Sequence, residues 1–184
     1  MLSFLESTNA QVVFSGKAHP RDERGKAIVS RVARFARQER FRNRIVLIED
    51  YDIAIGRLIT SGSDVWLNNP RRPQEASGTS GQKVILNGGL NLSVLDGWWP
   101  EGFDGTNGWA IGDDRVRPDT PESDKADADA LYSILETEVA DEWTRRAKGL
   151  PKAWIKRMRR SIETCSPLFT SHRMVRDYAL ELYR

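Results

Sequence analysis

Short, unbroken apolar runs separated by helical stretches constrain this chain more than any other feature. Arg44-Ile45-Val46-Leu47-Ile48-Glu49-Asp50 places four apolar residues in a row without alternation. A strand with one face in water alternates apolar and polar residues, so an unbroken run suits a parallel strand buried on both faces. Gln11-Val12-Val13-Phe14-Ser15-Gly16 reads as a second buried strand, ended by glycine. Asp64-Val65-Trp66-Leu67-Asn68, Leu90-Asn91-Leu92-Ser93-Val94-Leu95 and a short Trp109-Ala110-Ile111-Gly112 complete the set.

Helical patterns lie between them. Pro20 opens a stretch with Ile28, Val32, Phe35 and Ala36 at helical spacing and arginines on the other face. Ile53 to Ile59 reads as a short helix, and another falls around Lys83–Asn87. Strand and helix alternating in this way argue for right-handed βαβ units. The expectation is an α/β fold with a doubly wound, Rossmann-like parallel sheet.

Beyond Gly112 the pattern changes. Asp113 to Asp129 is acidic, contains proline and has few apolar residues, so it reads as a linker or mobile loop. Three helices follow, marked by Leu131, Leu135, Val139 and Trp143, by Trp154, Met158 and Ile162, and by Met174, Tyr178, Leu182 and Tyr183. A length of 184 residues fits one domain. The expected division is an α/β core over 11–112, an acidic loop over 113–129 and C-terminal helices over 130–184.

Composition narrows the function classes. A formal charge of +2 does not favour nucleic acid as a partner. Cys165 is the only cysteine, which excludes an intramolecular disulfide and a cysteine zinc cluster. Neither His19 nor His172 has a cysteine or carboxylate at ligand spacing, so no metal site is expected. No run approaches the ~20 apolar residues needed to span a bilayer, and Met1–Glu6 lacks the features of a signal peptide. A cytoplasmic protein is expected.

In open α/β sheets ligands sit outside the carboxyl ends of the strands. Gly16–Pro20, Glu49–Asp52 and Asn68–Lys83 are the loops in that position, and the last is the richest. Within it, Glu75-Ala76-Ser77-Gly78-Thr79-Ser80-Gly81-Gln82-Lys83 is a carboxylate, a Gly/Ser/Thr loop and a lysine entering a helix. Gly78 and Gly81 let the backbone approach a ligand, and Ser77, Thr79 and Ser80 add hydroxyls. A helix N-terminus offers unpaired N–H groups and suits a phosphate. Lys83 lies about one turn inside, where its amine could reach a carbonyl compound held by that phosphate. Together these features describe a site for pyridoxal phosphate; a plain turn with a solvated lysine is the alternative. The segment is not a P-loop, since Val84 stands where a magnesium-binding hydroxyl would be.

The run from Glu75 to Gly88 resembles the cofactor-attachment signature of the α-glucan (glycogen, starch or maltodextrin) phosphorylases. Phe14–Pro20, Glu49-Asp50-Tyr51, Trp66–Pro73 and Leu95–Trp99 match further motifs of that family in the same order. Pro70-Arg71-Arg72-Pro73 and Trp98-Trp99 are similar to the shorter bacterial and archaeal branch. The resemblance runs from about Gln11 to Gly112, and weakly beyond.

That resemblance implies the C-terminal lobe of a two-lobed, B-type glycosyltransferase fold and a retaining transfer. Inorganic phosphate attacks an α-1,4-glucan and glucose 1-phosphate leaves. Lys83 would attach pyridoxal 5'-phosphate, whose phosphate group serves as proton donor to the substrate phosphate. Thr79, Ser80 and Gly81 would bind the cofactor phosphate, with Tyr51 beside it. Glu75, with the Ala76, Ser77 and Gly78 backbone, would hydrogen-bond the glucosyl hydroxyls. Lys83 and Glu75 are thus the expected catalytic residues. Gln82 departs from the family's methionine, and Asp52 from an arginine of the longer members.

The family also has an N-terminal lobe and a basic motif upstream of the first strand. Neither is found in the ten residues before Gln11, so the chain by itself is expected to be an incomplete enzyme that holds its cofactor weakly. The apolar stripe of the last helix would pack on that lobe; without it, the stripe folds back, stays exposed or supports self-association. Two other functions compete: a non-catalytic sugar- or cofactor-binding domain acting with a separate N-terminal subunit, and a nucleotide-sugar glycosyltransferase, against which the full Lys83 motif speaks. Trp98 and Trp99 are read as buried loop anchors, and Asp96, Glu101 and Asp104 as turn and cap residues. The basic stretch from Arg145 to Arg160 is read as the solvated face of two helices, partly neutralised by the acidic segment.

Overall fold

A computed structural model describes residues 2–183. The chain divides into two compact units, Met1–Leu58 and Ile59–Arg184. Each is α/β, and every strand pairing in either unit is parallel.

The first unit opens with helix α1 (Leu2–Thr8), which the sequence reading did not anticipate; Phe4 and Leu5 are buried in it. Strand β1 (Val12–Ser15) pairs with β2 (Ile45–Ile48) in the register Val12↔Ile45 to Ser15↔Ile48. Helix α2 (Glu23–Ala36) makes the crossover and packs on β2. It begins after Asp22, whose side chain accepts from the Gly25 N–H at 2.8 Å, rather than at Pro20. That bond satisfies one of the free donors every helix start carries. Strand β2 was expected to be closed on both faces, but it is half-buried along its length. A sheet of two strands has too little surface around it to cover both faces. Helix α3 (Ile53–Gly62) leads into the second unit.

The second unit is built on the sheet β3–β4–β5: β3 (Val65–Asn68), β4 (Leu90–Val94) and β5 (Gly108–Ile111). All five residues of the central β4 are buried, although Asn91 and Ser93 alternate with its apolar residues, because a parallel strand between two others is covered on both faces. Helix α4 (Thr79–Leu86) joins β3 to β4, and the short α5 (Trp99–Gly102) interrupts the loop before β5. Trp98 and Trp99 are buried, as the anchor reading required. They stack with Phe169 and Phe103, with ring centroids 4.8 and 5.3 Å apart, and the Trp99 indole N–H donates to the Trp109 carbonyl.

The acidic stretch departs from the expected loop. It is irregular only to Thr120; from there α6 (Pro121–Ile134) runs through a π turn, Leu135–Val139, into α7 (Ala140–Thr144). The local chemistry explains this. The Thr120 hydroxyl accepts from the Ser123 N–H, Pro121 occupies the first turn, and Glu122 and Asp124 lie at the positive end of the helix dipole. Ala126, Ala128 and Ala130 then favour helix where apolar residues are scarce.

Helices α8 (Lys152–Cys165) and α9 (Ser171–Glu181) close the chain, and α8 packs against α4, α7, β4 and β5. Of the basic residues on α8, Arg157 pairs with Glu142 and Arg160 with Asp104; Arg145, just past α7, pairs with Asp141. The acidic segment was expected to serve them, but its carboxylates engage Arg71, Arg72 and Arg117 instead. On α9, Met174, Val175 and Tyr178 stay exposed, and so do Leu182 and Tyr183 just beyond it. Among the described residues no helix is long and apolar enough to cross a membrane.

Candidate functional site

Parallel strands bring the loops that follow β3 and β4 to one edge of the sheet. The β3 loop runs from Asn69 to Gly78 and the β4 loop from Leu95 to Trp98. Two hydrogen bonds staple them together, and a third closes the turn of the β4 loop. The Asp96 carboxylate accepts from the Glu75 N–H and from the Gly97 N–H, both at 2.9 Å. The Trp98 N–H donates to the Ser77 carbonyl at 2.9 Å. Gly97 makes this approach possible. Its φ is +58°, and a Cβ there would lie 2.5 Å from the Ser77 oxygen. Asp96 is therefore a turn-forming carboxylate, as expected.

Gly78, at φ +82°, turns the chain into α4. The helix begins four residues earlier than the pattern around Lys83–Asn87 indicated, which places Thr79 and Ser80 in its first turn. Gly78 has no side chain to cap that turn, and the Thr79 and Ser80 N–H groups have no acceptor among the described residues. Such a helix start is a ready anion site. Gly81 is buried, and a Cβ on it would meet the Asn91 side-chain oxygen at 2.7 Å and the Trp98 indole nitrogen at 3.2 Å. Asn91 is 1% exposed, with neither amide atom hydrogen-bonded. The first turn of α4 thus sits as close to β4 as a glycine allows.

Lys83 lies four residues after Thr79, so the two share a face of α4, and both are exposed. Glu75, Ser77, Gly78 and Ser80 are half-buried, and Ala76 is exposed. The structure therefore brings Glu75 through Lys83 into one loop and helix start. Tyr51 belongs to the first unit, where its hydroxyl lies over Gly56 at the start of α3. The loop has the chemistry to seat a phosphate on its free N–H groups and hydroxyls, and to present a primary amine one turn away. It thus fits a phosphorylated aldehyde. Two surface cavities, about 490 Å³ beside Arg42 and Arg44 and about 300 Å³ beside Trp143 and Trp154, are lined by other residues.

The sequence reading missed how the Arg71-Arg72 pair is used. Arg71 pairs with Asp119 and Asp124, and Arg72 with Asp127. The hydrogen bond that Arg71 donates to Asp124, helped by Asp119, raises the Arg71 pKa against the effect of burial. Adjacent arginines followed by a carboxylate-rich segment were a usable signal. Cys165 is buried, and burial pushes its thiol up, so it is a packing residue rather than a nucleophile.

Comparison with known proteins bears directly on this loop. A family model described as carbohydrate phosphorylase matches residues 3–100. The chain is 49% identical to the maltodextrin phosphorylase of Thermococcus litoralis over 173 residues, covering 94% of this chain and 20% of that protein. It is 48% identical to the glycogen phosphorylase of Aquifex aeolicus, covering 94% of this chain and 25% of that protein. The glycogen phosphorylase of Mycobacterium tuberculosis is 45% identical, with 97% and 21% covered. The chain thus spans about a fifth to a quarter of the length of these relatives.

Proposed function

The chain belongs to the carbohydrate phosphorylase family, and from that premise we propose that it is the cofactor-binding part of an α-glucan phosphorylase acting in the cytoplasm. One observation carries the reading. The capless first turn of α4, with free N–H groups on Thr79 and Ser80, stands one turn from the exposed amine of Lys83. The chain would belong to the C-terminal lobe of a B-type glycosyltransferase fold.

In this reading Thr79, Ser80 and Gly81 hold the phosphate of pyridoxal 5'-phosphate and Lys83 attaches its aldehyde. Bound there, the cofactor supplies a phosphate group that can pass a proton to the substrate phosphate. The half-buried Glu75 carboxylate accepts hydrogen bonds from glucosyl hydroxyls, and the Ala76–Gly78 backbone orients the same sugar. Asp96 and Trp98 hold these groups in place. In the overall reaction an oxygen of inorganic phosphate replaces the glycosidic oxygen at C1 of the terminal glucose. The leaving 4-hydroxyl takes a proton, and glucose 1-phosphate is released.

Cations must surround two phosphates in contact. Arg71 and Arg72, the guanidiniums nearest the loop in sequence, are already paired with Asp119, Asp124 and Asp127. Those cations, and the second wall of the cleft, would come from the remainder of the phosphorylase. The exposed apolar stripe of α9 supports self-association of the chain as part of the same proposal; a monomeric mass by light scattering would reject that part. The main test is titration with pyridoxal 5'-phosphate, followed by its lysine-bound absorbance band, for wild type and Lys83→Ala. Wild type should develop the band and the variant should not. Because Lys83 is exposed, the variant should keep its stability within about 0.5 kcal/mol. A band of equal strength in both would reject the assignment.

A further inference from the structure

Arg72 and Asp127 form an ion pair that joins three segments of the second unit. The Arg72 side chain is 4% exposed and that of Asp127 25%. One guanidinium nitrogen donates to both Asp127 oxygens, at 2.6 and 2.7 Å, and the other to the Ile111 carbonyl at 3.3 Å. Ile111 ends β5, Asp127 lies on α6, and Arg72 stands three residues before Glu75. Gly112 completes the joint, with φ +67° and room for a Cβ only 3.0 Å from an Asp127 oxygen.

An ion pair in this position needs a reason. Removing two charges from water is costly, and apolar residues of the same volume usually stabilise as well. What the pair does supply is a constraint, because a small displacement of either partner leaves a buried charge unpaired. Little slack separates that constraint from the site. The Gln74 N–H closes a turn onto the Arg71 carbonyl at 2.8 Å, and the next residue, Glu75, is tied to Asp96. The partners of Arg71 are more exposed than Arg72 and are screened by solvent, so they bind the loop less firmly.

We propose that Asp127 is a positioning residue for the Glu75–Gly78 segment, acting through Arg72. The pair fixes the approach to the segment, Asp96 holds its first residue, Glu75, and Trp98 holds Ser77. Helix α6, which looked like a mobile acidic loop in the sequence, is then a brace for the site. The functional consequence rests on the reading of this loop as the cofactor and sugar site; the positioning itself does not.

The experiment compares amide hydrogen exchange in wild type, D127N and R72K. In D127N the Glu75 and Trp98 amides should exchange about tenfold faster or more, with Leu92 and Val94 of β4 unchanged. Unchanged loop amides, or equal acceleration everywhere, would overturn the proposal. R72K keeps the charge without the fork and carries the same test if D127N does not fold. Failure of both to fold would show a purely structural role and also overturn it. A second arm titrates pyridoxal 5'-phosphate into wild type and D127N, where the variant should bind about tenfold more weakly. Equal affinity despite a loosened loop would remove the functional consequence. A wild type that takes up no cofactor would reject the proposed function instead, and exchange alone would then decide the positioning.

Discussion

The Asp96 carboxylate accepts the Glu75 backbone N–H at 2.9 Å across 21 positions of sequence. Through that one side chain the loop after β4 sets where the loop after β3 can stand. Its other oxygen closes the turn on Gly97, so both acceptors are engaged.

Asp96→Ala therefore leaves two backbone donors without their acceptor. A destabilisation of about 1–3 kcal/mol is expected from hydrogen bonds to a charged group, read as a lower urea midpoint at unchanged slope. Asp96→Asn, which can still accept one bond, should fall between the variant and wild type. A midpoint for Asp96→Ala within error of wild type would show that solvent replaces the carboxylate.

Gly97→Ala should cost roughly 1–3 kcal/mol. The substitution meets two obstacles at once, a positive φ and the Ser77 carbonyl 2.5 Å from the new carbon. Gly105→Ala is the control, because its φ is +85° but nothing crowds it. The excess of the first cost over the second, measured by chemical denaturation, isolates the close approach of the two loops.

Asp104 predicts a pH dependence. Burial acts to raise its carboxyl, but hydrogen bonds from Thr106 and Arg160 outweigh burial and hold it below the ordinary 3.8. The folded chain thus keeps this group charged more readily than the unfolded chain does. Its contribution is complete above 3.8 and is lost as pH falls below that value through the folded pKa. The stability gap between wild type and Asp104→Asn should be widest near neutrality and should close in acid. A gap that stays constant down the titration would contradict this account.

The 184 residues alone should release no glucose 1-phosphate from glycogen and inorganic phosphate. The arginines beside the loop are held by carboxylates, and the proposed reading commits Lys83 to the cofactor, so among the described residues of the loop and helix start no cation is left for the substrate phosphate. A coupled assay for glucose 1-phosphate measures this directly, and turnover above the no-protein blank would show that the required charges are already present.

Local chemistry was legible wherever it decided the outcome. The short strand patterns fell on all five strands, although β4 alternates apolar and polar residues yet is buried throughout, and the unbroken run of β2 is only half-buried. The glycines of the Glu75–Lys83 segment pointed to a turn into a helix, and Gly78 and Gly81 occupy the tight positions there. Helix α6 was misread because its apolar content is low. A helix needs no core of its own when a threonine cap, a proline in the first turn and alanines favour it and distant arginines hold its carboxylates.

The strands β3, β4 and β5, the loop that would carry a ligand and the residue types within it follow from the sequence alone, since periodicity and turn chemistry act over a few residues. Only the tertiary structure could assign partners. Asp96 to Glu75, Trp98 to Ser77 and Asp127 to Arg72 span 21, 21 and 55 positions. Nothing in a local pattern says which of many carboxylates and amides will meet. Packing decides that, by bringing two strand ends and one helix to a single edge of the sheet and leaving buried polar groups one another to bond.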